Sequence, residues 1–292
     1  MARRYTRSLV GAVAGRPAPL SVLNPDLRSI VEHPAALAWL GHASVLLRHG
    51  GLTILTDPVF SERIGPRVLG RVLGPTRLAG APLTPDDLPP IDLVLVSHAH
   101  FDHLDRPSLE MLARRGRETT VITASGTRRL IPRGFGRVIE LPWDERTEIR
   151  GVGVRALRPE HWGSRRVVDR RRGYSSYVIG GGARGEEARG VLFAGDTAMT
   201  GAFDALSENE RLRWAILGIG SYDPWVHAHA TPEQAWEMFV RSGAERLLPI
   251  HHSTFELGDE PAGEAMARLV RISGEARGRL IEVQPGHVWT QG

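Results

Sequence analysis

Short apolar runs that end in a histidine or an aspartate recur along this chain. LTILT leads into Asp57, IDLVLV into Ser97 and His98, VGVRALRPE into His161, GVLFAG into Asp196 and RLLPI into His251. Runs of four to eight β-branched and aliphatic residues bounded by glycine and proline predict strands. They fall at residues 36–40, 44–48, 52–56, 91–96, 120–123, 137–141, 152–157, 175–179, 191–194, 214–217, 246–250, 279–283 and 287–290. Helical periodicity predicts helices at 107–115, 125–131, 201–208, 232–242 and 260–273. The fourth is the best marked: Thr231 stands as N-cap, Pro232 opens the first turn and Gly243 stops it.

Strands dominate the start of each half and strand–helix alternation follows, which predicts sheets covered by helices in an α/β layered domain. No short-period repeat or low-complexity linker divides the chain, so the expectation is a single domain over residues 35–292 behind an irregular N-terminal arm, 1–34, rich in proline. Residues 57–90, full of proline, glycine and arginine, read as a long surface loop, a length that in a compact domain often marks function.

Composition narrows the chemistry. The 292 residues are 41% hydrophobic and 24% charged, ordinary for a globular protein. No apolar run reaches the length of a membrane span, and the basic start lacks the long apolar middle of a signal peptide, so the expected location is cytoplasmic with a possible peripheral membrane contact. Cysteine is absent, which excludes disulfides, a thiol nucleophile and thiolate metal sites. All 37 basic side chains are arginine; the pI of about 10.2 therefore overstates a net charge of only +4. That is a weak footprint for nucleic acid, and no such partner is expected.

The candidate chemistry lies in residues 98–103, H-A-H-F-D-H. Residues two apart in an extended segment point the same way, so His98 and His100 can hold one metal, while Asp102 and His103, beyond the bend, can face a second. Imidazoles and carboxylates suit Zn²⁺ without sulfur. Burying so many titratable groups together without a metal would cost several kcal/mol, so a purely structural role is a poor account of this segment. For Asp196 and His251, a turn aspartate and a strand-end histidine are respectable alternatives taken singly; their shared context with the other strand ends argues for the site.

The pattern resembles the metallo-β-lactamase superfamily. Within it, the resemblance is nearest the branch of the N-acylphosphatidylethanolamine-hydrolysing phospholipase D and its bacterial relatives, which include lactonase-like enzymes. The segments that carry it are WLGHASVLL (39–47), LTDPVFSERIGP (55–66), SHAHFDHLD (97–105), PEHW (159–162), FAGDT (193–197), HATPEQA (229–235) and IHHSTF (250–255). It implies a four-layer αβ/βα sandwich and two Zn²⁺ per chain, with iron or manganese as the lesser alternatives. One zinc would be held by His98, His100 and His161, the other by Asp102, His103 and His251, with Asp196 bridging. Asp57 would orient a ligand histidine through its other ring nitrogen, and His229 would line the site. The branch carries H-W-G-T-F where this chain has His251, His252, Ser253, Thr254 and Phe255, so an imidazole at 252 replaces an indole. The arm is also shorter than the phospholipase's.

Two zinc ions roughly 3.5–4 Å apart would share a bridging hydroxide available near neutral pH. The expected function is hydrolysis of phospholipid-like or other phosphodiesters; the alternative is a lactonase or other ester or amide hydrolase, since the same centre serves both. The partner is then a small-molecule or lipid substrate; no oligomeric state is implied. A nuclease or a flavin-coupled redox module would need an appended domain, which is not expected here. His42, in the turn after Gly41, is a candidate substrate contact, with a cap of the strand turn as the alternative; His252 and His227 are candidate substrate contacts, with a structural role as the alternative. His33, His49 and His287 read as surface or structural. Trp162 and Trp225 are candidate walls, with core packing the default. Arg165, Arg166, Arg170, Arg171 and Arg172 could clamp an anionic substrate, but a solvated loop in an arginine-rich protein is the simpler expectation.

Overall fold

Two mixed sheets face one another in the computed structural model, which describes residues 22–165, 169, 171–180 and 189–290. Strands β1 (Ala36–Gly41), β2 (Ser44–His49) and β3 (Leu52–Thr56) form an antiparallel meander joined at tight glycine turns. A small hairpin follows, β4 (Arg67–Val68) and β5 (Arg71–Val72). Then β6 (Leu93–Val96), β7 (Thr120–Thr123) and β8 (Arg137–Glu140) extend the first sheet in parallel. The second half repeats the plan. Strands β9 (Arg146–Ile149), β10 (Val152–Leu157), β11 (Ser176–Ile179) and β12 (Gly190–Phe193) form the antiparallel part. Parallel strands β13 (Leu212–Gly218) and β14 (Arg246–Ile250) complete it. β15 (Val288–Thr290) returns to the first sheet beside β1.

Side-chain alternation explains the layering. Leu37, Trp39, Val45, Leu47, Ile54, Leu93 and Leu95 of the first sheet meet Val154, Tyr177, Ile179, Phe193, Trp214, Ile216 and Leu248 of the second in one buried core. The intervening residues point outward. Ala38, Leu46, Leu55, Val94 and Val121 pack under helices α1 (Leu27–Glu32) and α2 (Arg106–Ala113). Val178, Leu192, Ala215, Leu217 and Leu247 pack under α3 (Leu206–Asn209), α4 (Pro232–Arg241) and α5 (Glu264–Ser273). Both faces of the central strands are buried, which is why β1, β3, β6, β12 and β14 read as largely continuous apolar runs rather than as alternating ones. The expected αβ/βα sandwich is present.

Several local expectations change. The arm is not irregular over Leu27–Glu32: the Asp26 carboxylate accepts from Arg28 N and Ser29 N and caps a helix whose Ile30 enters the core. Residues 1–21 lie outside the described residues. The helix expected at 125–131 shrinks to one 3₁₀ turn at Arg128–Leu130, because the Thr127 hydroxyl donates back to the Ala124 carbonyl and competes with helical bonding. The helix expected at 201–208 forms only from Leu206. The strand expected at 279–283 is reduced to a single bridge between Leu280 and Leu247. The long loop 57–90 contains the β4–β5 hairpin.

Candidate metal centre

The same ends of both sheets deliver the polar residues. Asp57 follows β3, Ser97 and the 98–103 segment follow β6, His161 follows β10, Asp196 follows β12 and His251 follows β14. His42 sits in the β1–β2 turn and His229 just before α4. His42, Asp57 and His251 all have positive φ, at 53°, 31° and 61°. Non-glycine residues pay a conformational cost there and persist only where the surroundings hold them. Here Asp57 N donates to Leu95 O at 2.8 Å, His251 N to His42 O at 3.1 Å, and His42 N to Thr254 Oγ1 at 2.7 Å.

Two four-residue donor groups result, each with its ligand atoms within 4.8 Å of one another: His98, His100, His161 and Asp196; and His42, Asp102, His103 and His251. Asp196 also touches the second group, with His103 Nε2 at 3.1 Å and His251 Nε2 at 3.3 Å from its carboxylate. The first group's His98 and His161 Nε2 atoms stand 3.7 Å from it. His229 Nδ1 is 3.8 Å away on the wall. The member not expected as a ligand is His42, whose Nε2 lies 2.9 Å from Asp102 Oδ2.

Each ring is turned by what its outer nitrogen meets. His103 Nδ1 donates to Asp57 Oδ2 at 2.6 Å; Asp57 also accepts from Ser97 N at 2.7 Å and Ser97 Oγ at 2.5 Å. His161 Nδ1 donates to the Ala228 carbonyl at 2.9 Å, and His98 Nδ1 meets Ser97 Oγ at 2.8 Å. Fixing one nitrogen fixes the tautomer and presents the other inward. Asp57 is thus engaged behind His103 rather than in the cavity.

The electrostatics differ across the centre. Burial, then the surrounding imidazoles His103, His100 and His161, hold His98 well below the ordinary histidine range; burial does the same to His161. Burial also opposes charge on His103 and His251, but Asp196 and Asp102 outweigh it, lifting His103 well up and His251 to about 9. Burial alone would raise Asp196; His103, His251 and His229 pull it well below the carboxylate range. The carboxylates therefore demand positive charge at this spot. Meanwhile both Asp196 oxygens, His103 Nε2 and His251 Nε2 are buried without a hydrogen-bond partner, because the short contacts among them are not aligned as hydrogen bonds. Unsatisfied buried polar atoms are costly. Nitrogen and oxygen donors left bare around a common point fit divalent metal ions.

Other candidates fall elsewhere. His252 lies outside both groups, stacked on Trp39 with ring centroids 4.7 Å apart and its Nδ1 on Ser253 Oγ. Trp162, 40% exposed, stacks on His161 at 4.6 Å and meets His100 at 5.1 Å, so it is a wall rather than core. His227 lies between Trp162 and Trp225. His49 is buried. Arg165 corrects the solvated-loop expectation: its Nη1 donates to the carbonyls of Ala99 (2.9 Å) and Leu104 (2.7 Å), bracing the 98–103 segment, with its guanidinium over Phe101. Arg172 pairs with Asp169; Arg166 and Arg170 lie outside the described residues. Unanticipated are Ser97, which joins Asp57 to His98, and the buried Arg77, which ties the carbonyls of Leu40 and Val59 beneath the turns of His42 and Asp57. Ser97 was open to notice beside His98; Arg77 carried no signal within an arginine-rich loop.

Comparison with known proteins agrees. A family model described as the beta-lactamase superfamily domain matches residues 52–252. An uncharacterized protein of Mycobacterium tuberculosis is 30% identical over 94% of this chain and 71% of its own length. The N-acyl-phosphatidylethanolamine-hydrolyzing phospholipase D 1 of Caenorhabditis elegans is 29% identical over 86% of this chain and 74% of its own. The isothiocyanate hydrolase from Delia radicum gut bacteria shares the fold, with a TM-score of 0.67 at 16% identity over 88% of this chain and 98% of that one. With the two sheets, their flanking helices and the strand-end donors, these matches establish that the chain belongs to the beta-lactamase superfamily as a metallo-hydrolase of the metallo-β-lactamase fold.

Proposed function

We propose that the protein is a binuclear zinc phosphodiesterase that acts on phospholipid-like substrates. The observation that carries the metal assignment is the bare Asp196 carboxylate between two histidine-rich groups. His98, His100 and His161 would hold one ion, and Asp102, His103 and His251 the other, with Asp196 shared and His42 beside Asp102. Zinc bound there would supply Lewis acidity toward phosphoryl oxygens and a nucleophilic water at neutral pH.

The chain's own residues do the rest. Asp57 holds His103 and Ala228 O holds His161 in the orientation a metal requires. His229, at the wall and only 13% exposed, would hydrogen-bond a substrate oxygen. The exposed Trp162 indole offers apolar surface beside His100 and His161 for the non-reacting part of a substrate. The lipid assignment is supported by the phospholipase relative aligned over most of the chain. Among the described residues no helix is long and apolar enough to cross a membrane; the proposal is a cytoplasmic protein that meets lipid from one side.

The test is to follow N-acylphosphatidylethanolamine by mass spectrometry with protein of measured metal content, beside a chelated sample and His98→Ala. Metal-dependent release of phosphatidic acid is expected. Fully loaded protein that leaves this lipid intact but opens lactones would overturn the phosphodiesterase reading and keep the centre.

A further inference from the structure

The loop between Asp57 and β6 builds a two-stranded ribbon. Arg77 N donates to Glu62 O, Ile64 N to Pro75 O and Leu73 N to Pro66 O, at 2.7, 3.1 and 2.9 Å. The ladder ends in β4 and β5, which among the described residues pair only with each other. At its base, Ile64 packs with Val59 and Phe255, and Phe255 meets the His42 ring edge-on at 5.3 Å. The ribbon therefore grows from the wall of the candidate metal centre.

Its tip has a composition that folding does not explain. Leu69 is 99% exposed, and Val68 and Leu73 are exposed at 47% and 43%. Leu69 has φ 49° and Gly70 φ 79°. Two residues of positive φ suit a hairpin turn in which asparagine or aspartate would normally precede the glycine. A leucine there bears a steric cost of roughly 1–2 kcal/mol and, fully exposed, packs against nothing. Arg67 and Arg71 flank it, both exposed, and no acidic residue occurs between Arg63 and Pro85.

We propose that this ribbon, residues 62–77, docks the protein on an anionic lipid surface. Leu69 and Val68 enter the boundary of the acyl chains and Arg67 and Arg71 meet the headgroups. The purpose rests on the phosphodiesterase reading, since docking would bring the metal centre to a lipid substrate; the binding itself does not. A lipid surface is the occupant the observations favour. A stable protein partner needs about 800 Å² of surface on each side, and a two-residue turn flanked by arginines offers little of that. A bilayer needs only a few inserted apolar side chains and cations near negative headgroups.

The test is co-sedimentation of the whole protein with vesicles of equal phosphatidylcholine and phosphatidylglycerol, against pure phosphatidylcholine, at one fixed salt concentration. The wild type is expected to sediment with the anionic vesicles. Leu69→Asn is expected to bind them about tenfold or more weakly, the loss expected for one apolar side chain. Its Tm should be unchanged or raised, because asparagine tolerates positive φ. Arg67→Glu with Arg71→Glu should erase the preference for anionic vesicles. Wild-type protein that stays in solution, or Leu69→Asn that sediments like wild type, would overturn the proposal. Turnover of a water-soluble phosphodiester, read separately, should be the same in Leu69→Asn. If no phosphodiester is cleaved at all, the functional reading fails while the vesicle result still decides the docking.

Discussion

The two donor groups are each built from three histidines and one aspartate but backed differently. In the first, the outer nitrogens of His161 and His98 meet a neutral carbonyl and a hydroxyl. In the second, His103 is backed by the Asp57 carboxylate and Asp102 lies within 3.5 Å of His42, His103 and His251. A carboxylate behind an imidazole raises its basicity as a ligand and pins its ring. The carboxylates correspondingly lift His103 and His251 in pKa while burial depresses His98 and His161. The second group concentrates negative charge and should grip a dication harder; the first should release it sooner.

Stepwise chelation would show this as two events, the second group emptying last. The sharpest way to break the difference is Asp57→Asn, nearly the same shape without the charge. Metal affinity of the second group should fall about 10–100-fold, enough to reverse the order of release, as read by competition with a chelator of known affinity. If the order stands, the backing carboxylate is not what separates the groups.

Arg165→Ala should act on both groups together, because Arg165 braces the segment that supplies each with ligands. Leaving the Ala99 and Leu104 carbonyls without their donor should cost about 1–3 kcal/mol of stability by denaturant unfolding. The rate should drop at unchanged KM. A rise in KM for an anionic substrate at unchanged rate would restore the clamp reading instead. The smallest effect is expected from His252→Phe. The ring stacks on Trp39 away from both groups, so a shape-preserving replacement should change stability by less than about 1.5 kcal/mol and leave metal content unaltered. Loss of metal from this variant would mean that His252 belongs to the centre.

The strand ends were legible before the fold was known, since an apolar run stopping at a histidine or aspartate is a local signal. So was the division of residues 98–103, where side chains two apart share a direction. The sequence marks His42 as a candidate substrate contact and not as a metal donor; its approach to Asp102 spans 60 positions and depends on how the β1–β2 turn meets the loop after β6. Arg165 was lost among arginines, because no pattern in sequence separates a guanidinium bonded to two carbonyls from one in water. The length of the 57–90 loop marks function in the sequence, but not the ribbon at residues 62–77, for a related reason: its leucines resemble core residues until their exposure is known.

The sequence by itself determined which chemistry was available: nitrogen and oxygen donors without sulfur, placed at the ends of buried strands, in a chain able to build two covered sheets. Only the tertiary structure decided how the donors are shared, which carboxylate stands behind which imidazole, and which apolar residues face water. The physical reason is range. Periodicity and turn chemistry act over a few residues, whereas the contacts that orient these groups join positions as far apart as His42 and Thr254, 212 residues along the chain, and exist only once the two sheets have packed.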